Sequence, residues 1–368
     1  MAFALSFGSR VRKSPYFEAS VAAGVTQFSV YNHMYMPTSY GDAEAEYRRL
    51  IEGVSQWDVA AERQVEIAGP DAAALVQYLS PRDLSRCRVG QGKYVPLCDH
   101  IGRLINDPVL LKLSEDRFWF SIADSDVLLW ARAIAAERGY DVAVREPDAS
   151  PLAIQGPKAE AVVCDLFGAW PRDLKYFWFR ETEIKGIPLV LARSGWSKQG
   201  GFELYLTDGT RGTDLWNLVY EAGRPYGIGP GAPNYIERIE SGLLSYGADT
   251  DDDTNPFEVG LGKYLELEID ADFVGKSALR KIAQKGPKRQ QVGLFLDGAR
   301  IDAPAHPWTI AFEGRSVGKT GAAAYSPRLK RNIAIALIDR ECAGSGTELT
   351  VEATDGPRCA QVTALPFC

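Results

Sequence analysis

The sequence predicts an α+β protein whose C-terminal part, residues 286–368, forms a separate small β-barrel or sandwich. Three observations lead there. Strand-like and helix-like segments alternate from Gln64 to Gly242, without the long, regular spacing of a doubly wound parallel sheet. A basic linker, Lys285-Gly286-Pro287-Lys288-Arg289, then interrupts the pattern. Beyond it six short strand-like segments follow at regular spacing, as in a small all-β unit. A chain of 368 residues is also long enough for two or three domains.

Taken in order, the N-terminal segment ends in Val30-Tyr31-Asn32-His33-Met34-Tyr35-Met36-Pro37, aromatic and polar, and is not expected to be regular throughout. Ala43–Gly53 interleaves charges with Leu50 and Ile51 as a surface helix does. Gln64–Ile67 alternates as a strand, and Pro70-Asp71 opens a helix through Leu79 with an acidic, cap-like start. Strands are expected at Lys93–Cys98, at Leu104–Leu113 with an interruption at Pro108, and at Arg117–Ile122. Ser125–Arg138 reads as an amphipathic helix and Asp141–Arg145 as a short strand. Further strands are Leu152–Gln155, Glu181–Ile184, Leu189–Arg193 and Glu203–Thr207, and further helices are Lys158–Phe167, Thr213–Ala222 and Ala232–Gly242. Asp249–Asp253 is an acidic loop. The C-terminal strands are Gln291–Leu296, Trp308–Phe312, Val317–Ala322, Ile333–Ile338, Glu348–Ala353 and Cys359–Thr363.

Composition narrows the function. Hydrophobic residues make up 46% and charged residues 24%, so a core of useful size is available without disulfides or a structural metal. A net charge of −7 argues against a general nucleic-acid binder. The six cysteines are scattered and form no CxxC pair, as in a cytosolic protein with reduced thiols. The start, Met1–Gly8, has no basic region or small-residue cleavage site, and no apolar run approaches the ~18 residues of a membrane span, so a cytoplasmic protein is expected. Gly227-Ile228-Gly229-Pro230-Gly231-Ala232 fits a nucleotide loop only loosely, because it follows no clear strand; a plain turn is expected. Asp249, Asp251 and Asp253 have the spacing of a calcium loop, but Thr254 and Gly260 replace its glycine and last glutamate. His33, His100 and His306 lie far apart with no metal-ligand spacing, so no metal is expected.

Two glycine-punctuated segments carry unusual polar content. Gly102-Arg103-Leu104-Ile105-Asn106-Asp107-Pro108 sets Asn106 and Asp107 inside an apolar strand context. It is either a turn-capping pair or a carboxylate held at a strand end facing a pocket. Arg193 through Tyr205 is either a plain hairpin or a ligand wall, in which Gly200-Gly201 lets a ligand approach the backbone.

Gly195-Trp196-Ser197-Lys198-Gln199-Gly200-Gly201-Phe202-Glu203-Leu204 resembles the Gly-Tyr-Thr-Gly-Glu-Asp-Gly-Phe-Glu-Ile segment of the glycine-cleavage T-protein family. Gly102–Val109 resembles that family's Gly-Gly-x-x-Asp-Asp segment, and Arg238-Ile239-Glu240-Ser241-Gly242 its Arg-x-Glu-x-Gly helix. The tail, with Ser326-Pro327-Arg328-Leu329 and Gly346-Thr347, fits as well. Val30–Met34, Trp57–Val59, Glu62–Ile67, Pro81–Ser85, Ser121–Asp126 and Ile236–Glu240 are most similar to the superfamily's dimethylsulfoniopropionate demethylase branch. The resemblance implies a three-domain cloverleaf around a central channel. Two mixed α/β, ferredoxin-like domains would take residues 1–50 plus 140–250 and residues 51–139. Residues 251–285 would connect them to a C-terminal β-barrel over 286–368.

The resemblance also implies chemistry: methyl transfer from a small sulfonium substrate to tetrahydrofolate, with no nucleic acid or membrane as partner. Asp107 is the expected catalytic residue. Tyr94, Asp107, Gln199 and Glu203 are expected to bind the folate, and Tyr31, Ser121, Trp170, Trp196 and Tyr205 the substrate, the aromatic faces suiting a cation that offers no hydrogen-bond donor. Lys198, Arg63 and backbone groups are open choices for the substrate carboxylate. Lys198-Gln199 replaces the T-protein's Gly-Glu, which weakens the case for aminomethyl transfer. Folate-dependent demethylation of betaine, dimethylglycine or an aryl methyl ether stays open, as does a non-catalytic folate-binding role.

Overall fold

A computed structural model describes residues 7–368; residues 1–6, with most of the apolar start considered above, lie outside the described residues. Two sheets and a barrel dominate. The first sheet has six strands in the order Phe179–Ile184, Ile187–Ala192, Gly201–Leu206, Ser150–Gln155, Ser55–Asp58 and Gly229–Gly231. The second has five, in the order Ala143–Arg145, Gln64–Ala68, Arg117–Ser121, Val109–Ser114 and Gly92–Tyr94. The chain crosses from the first sheet to the second between Asp58 and Gln64 and returns between Arg145 and Ser150. The domain limits expected at 50/51 and 139/140 thus sit one strand ahead of each crossing. Ser55–Asp58 and Ala143–Arg145 follow their pairing partners rather than their neighbours in sequence.

Strand alternation decides which faces meet. In Gly201–Leu206 the side chains of Phe202, Leu204 and Leu206 pack under the helices Ala159–Phe167 and Gly212–Gly223, with Val162, Leu215 and Trp216. Tyr205, on the other face, joins Val190, Ala192, Trp119, Leu111 and Leu113. In the second sheet Val65, Ile67, Phe118 and Phe120 face the helices Ala72–Leu79 and Val127–Arg138. The two sheets therefore pack inner face to inner face, with helices outside each. Trp119 and Tyr205 meet across the gap with ring centroids 6.3 Å apart.

Residues Arg289–Leu296, Arg331–Asp339, Arg315–Ser326, Thr309–Phe312, Glu348–Ala353 and Gly356–Thr363 close into a six-stranded barrel. Its interior holds Val292, Leu294, Ile310, Val351 and Val362. One outer wall, Ala322, Ala324, Ile333 and Ile335, packs on Ile239 of the short helix Tyr235–Glu240.

Several elements differ from expectation for local reasons. The N-terminal segment forms a hairpin, Gln27–Tyr31 with Met34–Ser39, turned by Asn32 and His33 at φ 48° and 60°. Asp71 does not cap its helix; its carboxylate accepts from the backbone of Asp141. Gly229–Gly231 is not a plain turn but an edge strand parallel to Ser55–Trp57. The helix expected from Ala232 starts only at Tyr235, where the Asn234 side chain caps the backbone of Glu237. The segment 251–285 is not merely connecting, because Lys276–Lys285 is a helix.

Candidate active site

Inner-face polar residues gather at one end of the sheet sandwich. Next to Trp119 on the same face, Ser121 stands opposite Gln64 on one side and Val109 on the other. Two residues before Val109 lies Asp107, which Pro108 has released from the ladder. The Tyr94 hydroxyl donates to Asp107 Oδ2 at 2.6 Å. From the facing sheet, one step beyond Tyr205, comes Glu203; it accepts from the Tyr205 hydroxyl at 3.0 Å and from the Ser194 hydroxyl.

Asn106 holds Asp107 in place. It is fully buried, and its amide is saturated: Oδ1 accepts from the backbone of Asp107 and Ala123, and Nδ2 donates to Ala123 O and Ser125 Oγ. A carboxylate at this position would have no donors for the last two. Asn32 grips the same loop, donating Nδ2 to Ala61 O at 3.0 Å and to Ala123 O at 3.1 Å. Tyr31 precedes it, half-buried, where it feels Glu62, Asp107 and Asp124.

Burial sets the electrostatics. It pushes Asp107 up to about 6, against the Tyr94 bond that favours the charged form. It raises Glu203 against the Ser194 and Tyr205 bonds. Glu62 is raised well above the carboxylate range by burial first, then by the negative charges of Glu203 and Asp107. Tyr94 and Tyr205 are raised by burial and then by these same carboxylates.

The loop Gly195–Gly200 closes one side. Gln155 fills it, donating to Ser194 O at 3.2 Å and accepting from Ser197 Oγ at 2.7 Å. A Cβ at Gly195 or Gly201 would lie 1.9 or 2.4 Å from Gln155 Nε2. The close approach expected of a ligand at Gly201 is therefore made by Gln155. Gln199 donates to Glu237 Oε1 at 2.9 Å, an acceptor shared with the Lys198 backbone and Ser241. Glu237 Oε2 is buried with no partner.

Of the residues expected from the sequence, Tyr31, Tyr94, Asp107, Ser121, Glu203 and Tyr205 gather here. Trp196 is half-buried in the adjoining loop, and Gln199 is turned to Glu237. Trp170 lies apart, under Arg180 and beside Phe167 on the helical side of the first sheet. Arg63 is taken by Glu146, through Nε at 3.0 Å and Nη2. Sequence reading missed Glu62, Asn32, Gln64 and Gln155. The signal for Glu62 was a charge following the apolar run Val59-Ala60-Ala61.

The geometry and its acceptor-rich wall suit a ligand bearing N–H donors, as a reduced pterin does. Two buried acceptors have no partner: Gln64 Oε1, on the strand paired with Ser121, and Glu237 Oε2, in the helix that latches the Gly195–Gly200 loop. Residues 16–268 match the GCVT N-terminal domain and residues 289–368 the glycine cleavage T-protein C-terminal barrel domain. The fold is that of folate-dependent methyl-transfer enzymes, and the chain belongs to the glycine-cleavage T-protein family. It is 45% identical over 349 residues, 95% of each chain, to the dimethylsulfoniopropionate demethylase of Ruegeria pomeroyi. It is 31% identical to the aminomethyltransferase of Bacillus subtilis, covering 90% of this chain and 92% of that one. The glycine cleavage aminomethyltransferase T of Bartonella henselae superposes with a TM-score of 0.87 at 24% identity, covering 97% and 98% of the two chains, and shares the cloverleaf fold. Among the described residues no helix is long and apolar enough to cross a membrane.

Proposed function

We infer that this chain demethylates dimethylsulfoniopropionate, passing one sulfonium methyl to tetrahydrofolate and releasing the neutral thioether methylmercaptopropionate. The observation that carries this reading is the near full-length likeness to a demethylase of that compound at 45% identity, against 29–31% for the aminomethyltransferases.

Bound tetrahydrofolate would supply N5 as the methyl acceptor. The protein's work is then positioning, which contributes on the order of 7–11 kcal/mol at its upper limit. A thioether leaves without protonation, so no general acid is needed. Methylation releases a proton, and burial sets Asp107 at about 6, a value suited to accepting it near neutral pH. Tyr94 aims the carboxylate, and Asn106 fixes its backbone. Glu203, fixed by Ser194 and Tyr205, offers a second acceptor to the pterin. Tyr31, Tyr205 and Trp196 supply aromatic faces, each worth roughly 0.5–2 kcal/mol to a cation. With a folate co-substrate, we take the cytoplasm as the compartment.

A single-turnover assay tests the reading. Enzyme, tetrahydrofolate and dimethylsulfoniopropionate should give 5-methyltetrahydrofolate in stoichiometric yield. Turnover of betaine or dimethylglycine in place of the sulfonium, or no methylated folate at all, would overturn it.

A further inference from the structure

We propose that Glu62 is the counter-charge by which the site selects a positively charged methyl donor over a neutral one of the same shape. The inference rests on the function read above and assigns that site its charge selectivity.

Several buried carboxylates elsewhere in the molecule have a cation beside them, whereas among the described residues Asp58 and Glu237 accept only from neutral donors, Asp58 from Ser14 and the Ala60 backbone. Glu66 accepts from Trp119 and Arg145, Glu258 from Arg289, and Asp249 from Arg238. The site's carboxylates are not matched in this way. Asp107 and Glu203 accept from neutral hydroxyls only, and Glu62 has no side-chain hydrogen bond or ion pair among the described residues.

The backbone that carries Glu62 is held on both sides. Its N–H donates to Val59 O at 2.9 Å, and its carbonyl accepts from Gln64 Nε2 at 2.7 Å. Ala61 O is held by Asn32, and Arg63 O accepts from Ile122 N at 3.0 Å. The neighbouring cation, Arg63, is bound on both carboxylate oxygens of Glu146.

Gln64 supplies an independent observation. Its side chain is 1% exposed, with Nε2 spent on Glu62 O and Ser121 Oγ. Its Oε1 is buried without a partner on the inner face of the sandwich. The wall beside Glu62 thus keeps an acceptor free, and an orphaned buried acceptor is costly until a ligand meets it. Methyl hydrogens on a sulfonium carry the positive charge outward, and carboxylate and amide oxygens are the partners they accept. Burial and the neighbouring carboxylates favour the protonated form of Glu62; a bound cation favours the ionised form against them, and a neutral ligand of the same shape does not.

The test compares two ligands of nearly equal shape on the full-length protein by calorimetry. One is dimethylsulfoniopropionate; the other is 4-methylpentanoate, in which a neutral C–H replaces the sulfonium sulfur. Wild type should prefer the charged ligand, Glu62→Gln should lose on the order of tenfold of that preference, and Glu62→Asp should keep most of it. Thermal unfolding of each variant establishes that it is folded. An unchanged preference in Glu62→Gln, or an equal loss of both ligands, would overturn the role of Glu62 while leaving the demethylase reading intact. A wild type that binds no dimethylsulfoniopropionate would overturn both.

Discussion

Two buried polar clusters sit in this molecule and are built on opposite terms. At the joint between the helix Tyr235–Glu240 and the barrel, Asp249 and Glu240 each have an arginine beside them. Arg238 donates to Asp249 at 2.6 Å with both side chains nearly inaccessible, and Glu240 receives Tyr47, Ser326 and the approach of Arg328. At the end of the sheet sandwich, Glu62, Asp107 and Glu203 face one another with hydroxyls and no cation. The joint is made for stability and the sandwich end for a ligand that brings the missing charge. The first should fail when a partner is removed. The second should gain stability and lose activity when a charge is removed.

The largest effect is expected at the joint. Arg238→Met leaves Asp249 buried and unpaired and should destabilise the fold by about 3–5 kcal/mol in denaturant unfolding. A smaller loss would mean that the joint is not charge-matched in solution.

Asp107→Asn should act the other way. Turnover should fall on the order of 10²–10³-fold, about 3–4 kcal/mol in the barrier, while the thermal midpoint at pH 7.5 rises. The sign follows from the shift. The folded carboxyl at about 6 binds its proton more tightly than the unfolded one near 3.8, so native stability is greatest in acid. Wild type loses that stability as pH rises from about 4 to about 6, by at most about 3 kcal/mol. Asp107→Asn should flatten this slope but not abolish it, because burial also sets Asp58 at about 6. Equal pH dependence in the two proteins would show that Asp107 is not desolvated.

The smallest effect is expected where the two clusters come nearest in sequence logic, at Gln199. Gln199→Glu exchanges a donor to Glu237 for a like charge and should cost about 1–2 kcal/mol in thermal unfolding. No change would mean that the loop is not latched through Glu237.

Much of this was legible in the chain. The interruption expected at Pro108 is there, and it leaves Asp107 between two strands, where the sequence had left a turn cap and a strand-end carboxylate both open. The alternation Phe202-Glu203-Leu204-Tyr205-Leu206 announced one face for the core and one for a site. The barrel strands were found with their ends short by a few residues, as at Arg315–Ser326. The rest depended on distant partners. Gly229-Pro230-Gly231 has almost no strand propensity and is extended only because Ser55–Trp57 offers it an edge. Glu62, Asp107 and Glu203 are far apart in sequence, and only the packing of one sheet on the other makes them one cluster. Trp170 looked like a ligand platform in composition, yet its ring covers the helical side of the first sheet, where nothing local to Ala169-Trp170-Pro171 could have placed it.

Gln155, lodged between Gly195 and Gly201, has a consequence for substitution. The three positions fit one another so closely that none can be enlarged alone, while Ser194 and Ser197 would lose their partner if Gln155 were shortened alone. They form one steric unit in this chain. A side chain added at Gly195 or Gly201 therefore requires a smaller residue at position 155 in the same step, or displaces the Gly195–Gly200 loop.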